Sequence, residues 1–95
     1  MNSSDTSGAS GLPISLGRRV RVQRDPAFGP GPWPAEPSGV VAPYPGAADV
    51  FTEVRTRFGL ERSYWIVFDE PQLDGDGAGP YREGEVLERY LSAIN

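Results

Sequence analysis

The sequence predicts an all-β domain: a small, partly open barrel of short strands with a short C-terminal helical segment. Three observations carry this expectation. Residues 64–68 (YWIVF) form an unbroken apolar and aromatic run, the strongest strand signal in the chain. Within residues 18–24, Val20 and Val22 alternate with Arg19, Arg21 and Gln23, the period-two pattern of a half-buried strand. Ten prolines and twelve glycines cut the remainder into short pieces with room for few helices.

The elements follow in chain order. Residues 1–12 are mostly Ser, Gly, Asn, Asp and Thr and are expected to form a disordered tail, leaving residues 13–95 as one folded domain. The first strand has a valine face and an arginine face and ends at Asp25-Pro26. Prolines 26, 30, 32, 34 and 37 withhold ladder donors and fix φ, so residues 27–38 are expected to be a polyproline-like loop anchored by Phe28 and Trp33. Residues 39–42 (GVVA) read as a short strand and residues 43–46 (PYPG) as a turn.

Residues 47–58 fit two periods. Apolar residues at 47, 50, 51, 54 and 58 suit a helix, whereas Val50, Thr52, Val54 and Thr56 share one face of a strand. The β-branched residues favour a strand over about 50–57, joined through a turn at 59–62 to the run at 64–68. Pro71 is expected to stop that run, and residues 72–80, with glycines at 75, 77 and 79, to form a loop before Tyr81 re-enters the core. Val86, Leu87, Tyr90 and Leu91 predict a helix over 83–92, with Glu83 and Glu85 at its start and Arg89 near its end, as the helix dipole favours.

Composition narrows the function classes. The chain has no cysteine and no histidine, which removes thiol nucleophiles, disulfides, the usual neutral-pH general base and the commonest metal ligands. Carboxylates, hydroxyls, arginines and backbone groups remain, and a non-enzymatic role without cofactor or metal is expected. No basic start with an apolar h-region is visible, and no apolar run approaches the roughly 20 residues of a membrane span. A cytoplasmic protein with no membrane contact is the resulting expectation. The net charge is −4, with all 9 basic residues arginine, and it is uneven: residues 61–95 hold three arginines and eight acids.

Four groups of residues are candidates for function. The acids Asp69, Glu70, Asp74 and Asp76 follow the strong strand directly. Asp74, Asp76, Gly79 and Glu85 match positions of an EF-hand calcium loop, but Ala78 and Arg82 stand where oxygen ligands belong, so a polar turn is the better reading. Paired carboxylates could serve glycoside hydrolysis, but so small a domain has little depth for a sugar cleft. Trp33, Tyr44, Trp65 and Tyr81, rimmed by Asp69, Glu70, Asp74 and Asp76, supply what a groove for a basic or proline-rich segment of another protein needs. Arg18, Arg19, Arg21 and Arg24 are the alternative, a nucleic-acid contact, against which stands the simpler role of charges on the wet face of an edge strand. A small-molecule site is not expected.

The pieces GRRVRV (17–22), GVV (39–41) and YWIVFD (64–69) resemble, in kind and order, the strands of bacterial SH3-like barrels. Such domains occur in KOW-type proteins, in the nitrile hydratase β subunit and in small ferrous-iron-transport accessory proteins. The likeness spans roughly residues 14–92 and implies the barrel more than any activity. More loosely, the chain is similar to the acidic SH3-like antirepressors of a myxobacterial carotenoid switch, which bind a regulator in place of DNA. The resemblance implies a protein-binding adaptor or regulatory module, or a small accessory subunit of an enzyme.

Overall fold

The computed structural model describes residues 12–27, 29, 31–47 and 49–94. The expected tail, apart from Leu12, and the proposed anchor Phe28 lie outside the described residues. Six strands form one antiparallel sheet: β1 (Arg19–Val22), β2 (Ser38–Ala42), β3 (Phe51–Thr56), β4 (Gly59–Gln72), β5 (Tyr81–Leu87) and β6 (Leu91–Ala93). The strand order is β3-β4-β2-β1-β6, with β5 also paired to β4, and among the described residues the path from β3 to β6 remains open. The all-β expectation therefore holds.

β4 organises the sheet. Ser63 and Tyr64 pair with both β3 and β5, and Trp65, Ile66 and Val67 pair with both β2 and β5. A strand has only two edges. β3 and β2 must therefore follow one another along one edge while β5 takes the other. Alternation then divides its residues: Tyr64, Ile66 and Phe68 are buried, whereas Trp65 is half-buried and Val67 exposed. The inward set joins Val20, Val22, Val41, Val86 and Trp33 in one core. β1 contributes the valine face the sequence predicts, its arginines pointing out.

Four expectations at element ends are corrected. The hairpin from β3 to β4 turns on Arg57 and Phe58, because Thr56 already pairs with Gly59. Thr56 Oγ1 accepts the Phe58 N–H at 3.0 Å, which holds the tight turn. β4 does not end at Pro71. It reaches Gln72, opposite Tyr81, after an irregular register between Val67 and Gln72, a stretch where proline offers no donor. Nor are residues 83–92 a helix: residues 81–87 are strand, and only Glu88–Tyr90 make a 3-10 turn before β6. Gly84 and Val86 face the core while Glu83 and Glu85 face out, so pairing with β4 overrides the helical spacing of the apolar residues. Tyr81 meets the Trp33 ring edge-on at 5.9 Å yet stays 42% exposed, so it caps the core rather than entering it.

The proline loop is anchored by Trp33, which is only 8% exposed. Its indole lies 4.7 Å from Phe68, centroid to centroid, and its N–H donates to the Glu85 carbonyl at 3.3 Å. A Cβ on Gly84 would overlap this ring, so the glycine is the seat into which the tryptophan fits. A second tie crosses the core at Tyr64. Its hydroxyl donates to the Glu88 carboxylate at 2.7 Å and accepts the Ile14 N–H at 2.9 Å. Glu88 is buried and also faces Arg62 at 3.3 Å, so its charge is compensated. Nearby, Arg89 Nε donates to Glu61 at 2.7 Å, and Glu61 also accepts the Thr56 hydroxyl at 2.6 Å.

Gly84→Ala is expected to destabilise the fold by about 1–3 kcal/mol, the usual cost of overpacking, and the cost should shrink in a Trp33→Leu background. Urea denaturation of the two single variants and the double variant checks the coupling. Tyr64→Phe removes a donor to Glu88 and an acceptor for Ile14, with an expected loss of about 1–3 kcal/mol, read from the same curves.

Candidate functional site

The eight residues predicted to line one aromatic and acidic face separate into four places. Trp33 and Tyr81 lie with Phe68 at the core. Tyr44 and Trp65 meet on the opposite, outer side of β4, edge to face at 5.8 Å. Asp69 continues the outer side beyond Val67, and its carboxylate takes both guanidinium nitrogens of Arg19 at 2.7 and 2.8 Å. Glu70 is exposed and lines a shallow groove with Glu36, Pro37, Ser38, Asp69 and Gln72.

Asp74 and Asp76 occupy the fourth place. Asp74 Oδ1 accepts the N–H groups of Asp76 and Ala78, both at 2.9 Å, and the Asp74 N–H donates to the Ala78 carbonyl at 3.0 Å. The Asp74 side chain thus closes its own turn. Among the described residues, no three acidic side chains converge as a metal site would require.

The residues that complete the outer site are Glu83, Glu85 and Ser63, which the sequence reading did not select. The Trp65 indole N–H donates to Glu83 Oε1. Glu85 Oε2 accepts the Tyr44 hydroxyl at 2.7 Å and the Ser63 hydroxyl at 2.6 Å. β5 places both glutamates directly across from β4: Glu85 opposite Trp65 and Glu83 opposite Val67. The signal that could have found them is the alternation of Glu83, Gly84, Glu85 and Val86, legible only if residues 81–87 are taken as strand.

The electrostatics of this face are specific. Both carboxylates are held by neutral donors, and among the described residues neither has a cation beside it. Partial burial and then the hydrogen bond to Glu85 push the Tyr44 hydroxyl pKa up to about 12. Tyr44 therefore stays a donor at neutral pH and keeps Glu85 in place. Val67, 41% exposed, extends the floor beside the Trp65 ring.

The arginines divide as well. Arg19 is bound by Asp69, and this hydrogen bond, followed by charge attraction, raises its pKa. The same hydrogen bond holds Asp69 below the usual carboxylate range. Arg18, Arg21 and Arg24 are exposed. They lie on or beside β1, with two strands, β2 and β4, between them and the Arg55 of β3. The backbone N–H of Arg24 donates to the Glu36 carboxylate at 2.8 Å, which places an acid beside this arginine's backbone. Comparison with family models, with curated proteins and with solved structures returns no match.

Two pH responses follow. Tyr64, through burial and then its bond to Glu88, also rises to about 12 from an ordinary value of 10.0, as Tyr44 does. Their stabilising contribution is complete below pH 10.0 and is lost as pH rises toward about 12, because the unfolded chain ionises first. Titration by tyrosinate absorbance should show two late groups, one of them removed by Tyr44→Phe. At the acid end, the contribution of Asp69 is complete above the ordinary carboxylate range and is lost as pH falls through its depressed folded value. Arg19→Gln should flatten that part of the stability profile in urea melts taken across acid pH.

Proposed function

We propose that this chain is a non-catalytic protein-binding module with an SH3-like barrel arrangement, working as an adaptor, a regulatory module or an accessory subunit. The observation that carries the reading is the outer face of β4 and β5. Tyr44 and Trp65 are held edge to face, and Glu83 and Glu85 stand beside them with no ion pair among the described residues. Carboxylates held by neutral donors next to aromatic rings attract a guanidinium or ammonium group, by charge and by its affinity for the ring faces. The exposed Val67 adds apolar surface. The ligand class that fits is a basic segment of another protein with proline or other apolar residues beside its cation. Glu70 and Asp76, exposed farther along the same chain, would act as outlying steering charges rather than as the seat. The barrel reading draws support from β6, which follows the 3-10 turn and pairs with β1, returning the end of the chain to its first strand.

Nucleic acid is the weaker reading because the face with the best geometry is acidic and Arg19 is already occupied by Asp69. A peptide rich in arginine and proline, titrated into labelled protein, should shift the Trp65 indole and the Glu83 and Glu85 amides in a saturable manner. Trp65→Ala should weaken binding by at least about 1 kcal/mol, as truncation of an aromatic anchor does. Glu83→Gln with Glu85→Gln should lower affinity and reduce its salt dependence, while Glu70→Gln with Asp76→Asn should change affinity little. Shifts confined to Arg18, Arg21 and Arg24 on addition of an oligonucleotide, with none at Trp65 on addition of the peptide, would remove the reading.

A further inference from the structure

The geometry points to a second interaction surface, independent of the face above: β3 is built to pair with β3 of a second copy of this chain. Among the described residues, β3 pairs only with β4, so one of its edges is open. Every second residue along such an edge turns its N–H and C=O away from its own sheet, a template for another strand. The other open edges are poorer templates. β6 is three residues long, and on β5 the Trp33 indole already occupies the Glu85 carbonyl. β3 has six residues, with no proline, lysine or glycine and no irregularity in its register, and its two charged residues, Glu53 and Arg55, are of opposite sign.

The sequence of this edge is complementary to itself. It reads Thr52, Glu53, Val54, Arg55, Thr56. In an antiparallel pair related by a two-fold axis at Val54, Val54 faces its counterpart. Glu53 then falls opposite Arg55 of the second copy, Arg55 opposite its Glu53, and Thr52 opposite its Thr56. Opposite charges and threonine pairs are favourable cross-strand neighbours. The adjacent symmetric registers, centred on residue 53 or residue 55, would set Glu53 against Glu53 or Arg55 against Arg55. Charge therefore selects the register centred on Val54. Glu53 and Arg55 are exposed and make no ion pair among the described residues, so both are available. The half-buried Thr52, Val54 and Thr56 supply the other face of the joined strands. The product is an isologous dimer with one sheet continuous across the axis.

Sedimentation velocity over a dilution series at low ionic strength tests this pairing. The wild type should show a concentration-dependent monomer–dimer equilibrium. Glu53→Arg and Arg55→Glu should each weaken self-association by at least about tenfold, since two attractive pairs become repulsive. An equimolar mixture of these two variants should recover a heterodimer, and the double swap, Glu53→Arg with Arg55→Glu, should recover the homodimer. Both positions are exposed, and the mixing experiment shows that each variant remains folded. A wild type that stays monomeric at millimolar concentration, a Glu53→Arg variant that dimerises like the wild type, or a mixture that forms no heterodimer would each overturn the inference. Because Glu53 and Arg55 lie outside the Trp65 face, peptide binding should persist in all of these variants.

Discussion

The structure depends on the double pairing of β4. This one strand of 14 residues carries β3 and β2 in succession on one edge and β5 on the other. Its alternation decides what every neighbour can do. Tyr64, Ile66 and Phe68 face the core and oblige Val41 and Val86 on the flanking strands to meet them there. Trp65 and Val67 must then face out, and the residues opposite them on β5, Glu85 and Glu83, must face out with them. The core and the candidate site are thus two sides of the same strand.

Two side chains tie the irregular parts to this strand. Trp33 draws the proline loop over the sheet by filling the space that Gly84 leaves, and Tyr64 links residue 14 to the turn at Glu88 through a single hydroxyl. Neither tie is a local interaction. Trp33 bonds to a residue 52 positions away and Tyr64 accepts from one 50 positions away. A domain of this size buries a small core, so long-range polar ties of this kind contribute a large part of what distinguishes the native arrangement from other packings.

Charge is handled in three ways. Buried or half-buried acids, Glu88 and Glu61, are matched by arginines, and Asp69 fixes Arg19 on the outer side of β1. Asp74 is consumed by its own turn. Glu83 and Glu85 differ because their partners are neutral donors. Counting acids along the chain treats these groups alike, although among the described residues only the last stand beside half-buried aromatic rings with no ion pair. This distinction moves the candidate site from the acidic stretch after Phe68 to the outer face of β5.

What the amino-acid order determined by itself was the set of strands and their polarity. Valines alternating with arginines specify β1, and five consecutive apolar residues specify the centre of β4, because side-chain period and β-branching are local properties. The same local logic favoured a strand at β3, where Thr52, Val54 and Thr56 share a face. It misread residues 83–92, whose apolar spacing suits a helix, because the deciding partner is β4, far away in sequence. Only the tertiary structure decided which aromatics pack and which remain accessible. Trp33 and Trp65 are chemically the same, but one finds a glycine to cover and the other an outward position across from a glutamate. That outcome depends on register between strands, and register is a property of the assembled sheet.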